Sequence, residues 1–277
     1  MQFGAPPVRR SDTCPTQVGH GHFLRCTPNR QLKGGLTLSY LQPSEFVTKL
    51  VDQGEAKVYM SARDTLIRAF MAGATLALAV IFAVTIATQT GEFLIGALLF
   101  PVGFSMLYLM GYDLLTGVFT IVPIAWLDKR PGVTFPRMLK CWGLVGLGNL
   151  AGSLFIALFG ALNFSMGFTE EINQVGQTMM SVGESRTVGY REAGLGGWVV
   201  LFMRGMFCNW MVSMGVVGAA ISTSVPGKIM AMWMPIIVFF YLEFEHSVVN
   251  MFLFPIGLMM GADFTLYDYI MWNEIPT

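Results

Sequence analysis

Charge is what this chain lacks most. Asp, Glu, Lys and Arg make up 12% of its 277 residues, about half of the roughly 25% usual in soluble domains. Together with 54% hydrophobic residues and a mean hydropathy of +0.58, the deficit excludes an ordinary soluble globule and points to an all-α, multi-pass integral membrane protein. Neither sign is in excess, since 17 basic residues balance 17 acidic ones; the basic surface that nucleic-acid binding needs is absent. Cysteine is equally sparse. Cys14 and Cys26 sit in a polar leader and Cys141 and Cys208 inside apolar runs, which gives neither a disulfide framework nor a spaced zinc site. Of the three histidines, His20 and His22 lie in the leader near Cys26, too weak an arrangement for a metal centre, and His246 stands alone in an apolar run. No nucleophile, base and orienting group recur at workable spacing, so no enzymatic activity and no cofactor is expected.

What is present divides into a polar start and a long apolar remainder. Residues 1–42 form a polar leader that has no early apolar segment and is therefore no secretory signal. Few acidic residues precede Glu45, which leaves an organelle (plastid) envelope open beside a plasma or inner membrane. Residues 43–62, beginning Pro43-Ser44-Glu45-Phe46, read as a capped amphipathic helix along the membrane surface. Residues 63–277 read as a transmembrane channel domain. Its first, third and fourth apolar runs, near 66–88, 138–159 and 194–221, are each long enough to cross a hydrocarbon core that needs about 20 residues. Their many Gly and Ala residues suit close helix packing.

The second run, 93–127, and the fifth, 229–262, are too long for one ordinary span, and each contains a polar break. The first break is Gly111-Tyr112-Asp113-Leu114-Leu115-Thr116-Gly117; the second is Glu243-Phe244-Glu245-His246-Ser247. Ionisable groups at membrane depth are costly unless paired, hydrated or lining a cavity, and interrupted backbone is tolerated there only where protein or a cavity surrounds it. Two discontinuous helices in matching positions predict an inverted repeat with a substrate site between its halves. Glu245 and Asp113 are expected to accept backbone N–H groups at the breaks, because a carboxylate facing an anion would repel it. Asn149 is expected to bond across helices and Asn209 to donate into the pore. Arg204, nominally inside the fourth run, either snorkels, is paired, or marks a later helix start. The repeat calls for a sixth span that the chain, ending at Thr277, does not contain, so a truncated or incomplete product is expected. Lys and Arg concentrate in the leader and in 128–140, with Lys228 on the same side by parity, which puts that side in the cytoplasm or its equivalent.

These segments resemble the formate/nitrite transporter family. Glu243 to Met251, with Phe244-Glu245-His246-Ser247 and Asn250-Met251, is similar to its second signature, and Gly111 to Gly117 to the loop of its first broken helix. Gly148-Asn149-Leu150-Ala151-Gly152 and Arg204-Gly205-Met206-Phe207-Cys208-Asn209-Trp210 are similar to its third-helix and fourth-helix motifs. The resemblance implies an aquaporin-like inverted-repeat protomer with six spans, of which five are present, assembled as a homopentamer with one pore per protomer. It implies passage of small monovalent anions, formate, nitrite and related weak acids among them, with protons as a coupled partner. Carried over by position, His246 is the central pore histidine, Thr116 faces it, and Asn209 orients substrate or histidine. Phe100, Phe104, Leu114 and Phe239 fall at hydrophobic constrictions; Asn149 and Asn250 support the breaks; Arg191 stands as a basic vestibule residue.

The chemistry that follows is a desolvation problem, since a bare anion pays heavily in an apolar constriction and a neutral acid pays little. Apolar rings exclude hydrated ions, vestibules concentrate anions, and His246 with Thr116 donates hydrogen bonds or a proton. An unperturbed histidine titrates near 6.5, so it sets the pH response of passive or proton-coupled transport. In the plainer reading, His246 bonds Glu243, Glu245 or the opposite loop and only locks the breaks. A neutral-solute or water channel of the same architecture is the alternative function, and a structural or receptor subunit without a pore is a third. The leader tilts the substrate toward nitrite; pore physics does not separate it from formate.

Overall fold

The computed structural model describes residues 39–277; the organelle-targeting reading of the leader and the His20, His22 and Cys26 grouping lie outside the described residues. The described chain is helical and its β structure is a single bridge, between Tyr40 and Ser222. Helix α1 (Pro43–Tyr59) opens with Glu45 Oε2 accepting the Gln42 N–H at 2.9 Å. One face of this amphipathic helix packs on the bundle, chiefly on the segment Leu115–Leu127. Leu50, Val51 and Gly54 are buried, and a Cβ on Gly54 would meet the Ile121 carbonyl oxygen at 2.2 Å. The bundle therefore takes α1 as one of its own packed helices.

Ser61 caps α2 (Ala62–Thr90) by accepting the Asp64 N–H, and α2 packs along α6 (Phe135–Phe164). These two and α9 (Gly194–Ile221) are the described helices long and apolar enough to cross a membrane alone. Small residues explain how closely α2 and α6 approach: a Cβ at Gly73 would lie 2.1 Å from the Asn149 carbonyl oxygen. The second and fifth runs are each built from shorter pieces. Helices α3 (Phe93–Leu99) and α4 (Pro101–Leu109) meet at the Phe100–Pro101 joint and are followed by α5 (Leu115–Leu127). Helix α10 (Val225–Tyr241) is followed by α11 (Ser247–Met260). Between the third and fourth spans run α7 (Gln174–Ser185) and the short α8 (Val188–Glu192). After α11, α12 (Leu266–Tyr269) leads into a wider turn over Ile270–Glu274.

The two breaks share one backbone design, residue for residue. Gly111 and Glu243 both adopt left-handed φ, +70° and +55°. At the first break Gly111 and Tyr112 N–H donate to the Tyr108 and Leu107 carbonyls; at the second Glu243 and Phe244 donate to Phe240 and Phe239. Leu114 and His246 then take the extended conformation that starts α5 and α11. Glycine makes the left-handed turn at no steric cost, whereas a non-glycine residue pays about 1–2 kcal/mol. Glu243 carries that cost at the second break.

Candidate functional site

His246 is the N-cap of α11, and its Nδ1 accepts the Val249 N–H at 3.2 Å. That bond assigns the tautomer, because a ring nitrogen that accepts carries no proton; the neutral ring holds its proton on Nε2. Nε2 lies 3.2 Å from Thr116 Oγ1, in the first turn of α5. Both residues are buried. Two half-helix N-termini thus meet at one hydrogen bond, and the positive ends of both macrodipoles favour negative charge there. His246 makes no hydrogen bond to Glu243 or Glu245 among the described residues; its partners are Thr116 and Val249.

Aromatic rings enclose the histidine. Phe104 stands edge-on to the imidazole at 5.6 Å between centroids, and Phe239 stacks on it at 5.7 Å. Phe100 sets its ring edge-on to both phenylalanines and stacks on Phe240 at 3.9 Å. All three expected constriction phenylalanines are buried in this one cluster around His246. Leu114 and Phe104 also line a cavity of about 410 Å³ that opens beside α1. Lys49, Lys57, Arg68 and Lys228 line the same cavity, Lys228 being the residue that parity puts on the basic side. A second cavity, of about 470 Å³, is lined by Arg186, Tyr190, Arg204 and Glu243 near the other break.

Each break is held by groups from other segments. Asn149, on α6, donates from Nδ2 to the carbonyls of Ala69 (2.8 Å) and Asp113 (2.9 Å) and accepts the Leu115 N–H on Oδ1 at 2.8 Å. This one side chain satisfies backbone groups on both sides of the first break, where the helix is interrupted and supplies no partner of its own. The Asp113 carboxylate differs from expectation. It takes the ammonium of Lys57 from α1 and no backbone N–H; the lysine was within reach because α1 packs over the break. Glu245 differs in the same way. Its donors are side chains: Asn250 Nδ2 at 3.1 Å, Asn273 Nδ2 at 3.2 Å and Tyr190 OH at 3.4 Å, with Arg186 Nε at 3.8 Å. Asn250 Nδ2 also donates to Asn273 Oδ1 at 2.6 Å, and Asn273 donates to the Arg186 carbonyl at 3.0 Å.

Two further expectations land elsewhere. Asn209 Nδ2 bonds back to the Gly205 carbonyl of its own helix at 3.0 Å, leaving Oδ1 buried without a hydrogen-bond partner. Arg191 is committed to Asp268 at 2.5 Å, and the cavity near the second break is lined by Arg186 and Arg204 in its place. Arg204 resolves as paired: Nη1 donates to Tyr190 OH at 2.6 Å and the guanidinium lies 5.8 Å from that ring's centroid. Arg186 and Tyr190 lie between the third and fourth apolar runs and Asn273 beyond the fifth, outside every segment the sequence singles out. Their one sequence signal was a buried carboxylate, Glu245, that needed donors from somewhere.

A family model described as formate/nitrite transporter matches residues 44–277. A probable formate transporter of Methanothermobacter thermautotrophicus is 33% identical over 184 residues, covering 64% of this chain and 65% of that protein. Formate-nitrite transporter 2 of Toxoplasma gondii is 33% identical over 245 residues, covering 83% of this chain and 50% of its own length. The chain therefore spans between half and two thirds of these two relatives. The formate channel FocA of Haemophilus influenzae is 32% identical over 232 residues, covering 74% and 76%. Among solved structures, an FNT family ion channel superposes with a TM-score of 0.71 at 22% identity, over 83% of this chain and 91% of that one. A pentameric formate channel with formate bound gives a TM-score of 0.62 at 23% identity, over 78% and 89%. Both likenesses establish the fold.

Proposed function

The chain belongs to the formate/nitrite transporter family, and from that premise we propose that it carries small monovalent anions, formate or nitrite, across a membrane through a pore in each protomer. The observation that carries this reading is the Thr116–His246 hydrogen bond, enclosed by Phe104 and Phe239, with a cavity that presents cationic side chains at each of the two breaks. The cavities draw anions in, the rings strip water, and the half-helix N-termini and Nε2–H meet the charge at the centre. Because Nδ1 is occupied by the Val249 N–H, the ring acts as a hydrogen-bond donor through Nε2; taking up a second proton would require release of that cap. Proton coupling then runs through the permeant acid, with Thr116 and His246 as the polar step. The side bearing α1 and Lys228 faces the cytoplasm or its equivalent, and the working assembly is a homopentamer, as in the pentameric formate channel of like fold.

Uptake by reconstituted vesicles tests the reading, with formate, nitrite and a neutral solute such as glycerol supplied in turn across a pH gradient. Anion uptake that rises with external acid supports it. Glycerol or water flux without anion flux would replace it with a neutral-solute channel.

A further inference from the structure

The cavity beside α1 is larger and more cationic than passage of a small monovalent anion requires. Its volume of about 410 Å³ lies in the range of roughly 300–1,000 Å³ typical of ligand pockets. Four cationic residues reach it, and Asp113 is the one carboxylate among its lining residues. That carboxylate is taken by Lys57. Among the described residues, Lys49, Arg68 and Lys228 have no carboxylate partner within ion-pair distance. Lys49 Nζ donates to the Ala220 carbonyl at 2.8 Å, and Arg68 Nη1 reaches the Gly111 carbonyl at 3.4 Å, so both heads are held at the cavity by neutral acceptors. Burial, and after it the charge of Lys228, holds the Lys49 ammonium below the ordinary lysine range. Among the described residues, three of the four cations at this cavity thus stand without a carboxylate at ion-pair distance. Its floor is apolar and includes the ring of Phe104, the same ring that closes on His246.

We propose that this cavity is a binding site for a compact dianion, such as inorganic phosphate or a short dicarboxylate, which occludes the pathway from the α1 side without crossing it. The binding rests on the cavity's charge and size; the occlusion rests in addition on the transport reading. At a given distance the attraction of a dianion to these three cations is about twice that of a monoanion. The desolvation cost at Phe104 grows with the square of the charge in a Born description, so about fourfold. The charge that strengthens binding therefore bars passage. A site of this kind makes export or import of the monovalent ion sensitive to the dianion content of one compartment.

The test has a binding arm and a flux arm. Calorimetric titration of the detergent-purified protein with inorganic phosphate, and separately with succinate, is expected to give one saturable site. Replacing Arg68→Gln and Lys228→Gln together should weaken it at least ~10-fold, and Lys49→Gln alone should weaken it less, with each variant checked for an unchanged melting profile. In vesicles, phosphate on both faces should slow formate uptake in the unmodified protein and not in the double variant, while labelled phosphate stays outside. No binding, equal binding by the double variant, binding that leaves uptake unchanged, or accumulation of labelled phosphate each overturns the proposal. Charge-dependent phosphate binding by a protein that moves no anion at all would overturn the transport reading and leave the dianion site standing.

Discussion

Thr116 Oγ1 and His246 Nε2 are separated by 130 residues in sequence and by 3.2 Å in space, and the imidazole nitrogen turned away from Thr116 caps the next helix. One ring therefore performs two tasks, and substitution can separate them.

His246→Asn keeps a good N-cap acceptor, so stability is expected to change by less than about 1 kcal/mol. The Nε2 donor to Thr116 is lost, and formate uptake should fall at every pH while the acid-driven shape of the pH profile is kept. His246→Phe loses both tasks and should in addition melt earlier. Uptake against pH in vesicles, beside melting curves in detergent, checks the pair; unchanged uptake in both variants would remove His246 from the mechanism.

Asn149 holds three backbone groups, and two of them, the Asp113 carbonyl and the Leu115 N–H, lie at the break, where no helix interior supplies a partner. Each buried group left unsatisfied costs about 1–3 kcal/mol. Asn149→Leu, of similar size, is expected to destabilise the protein by about two such increments, seen as loss of the monodisperse peak on size exclusion. Asn149→Asp, which still accepts the Leu115 N–H, should fall between. Equal behaviour of the two would show that the break is held some other way.

Lys57 and Asp113 tie α1 to the first break. Removing one partner of a buried pair costs about 3–5 kcal/mol, whereas removing both is often near neutral. Lys57→Met should therefore melt far below the unmodified protein, and Lys57→Met with Asp113→Asn should recover most of the loss. Additive losses in the double variant would contradict the coupling.

Phe104 shares the floor of the inner cavity with the wall of the histidine chamber. Phe104→Ala removes a buried ring at a cost of about 3–5 kcal/mol, and Phe104→Leu keeps more of the packing. Both are expected to admit larger anions such as lactate, and alanine more than leucine. Conductance in planar bilayers gives the measure; unchanged selectivity in both would move the constriction elsewhere.

The elements that could be read in advance are those whose cause is local. Length and hydropathy fix α2, α6 and α9, and Gly111 with the polar run 243–247 fixes where the two long segments break. The likeness of the breaks was legible down to matching positions, although Glu243 in left-handed φ gave no warning, because glutamate rarely takes that conformation. What stayed hidden is the identity of long-range partners. Nothing in the sequence around Asp113 says that its cation comes from 56 residues earlier, or that Glu245 draws on Tyr190 at 55 residues and Asn273 at 28. Asn209 shows the converse: polar and deep in an apolar run, it spends its amide N–H on its own helix.

The Asn149 clamp also has a meaning in time. The Asp113 carbonyl it holds was made 36 residues earlier and the Leu115 N–H 34 residues earlier. During synthesis the two halves of the second run therefore emerge before the side chain that ties off their ends exists. The Asn149 bonds to the first break can form only after α6 has been made and packs on α2, so this clamp is a late contact by the order of the chain.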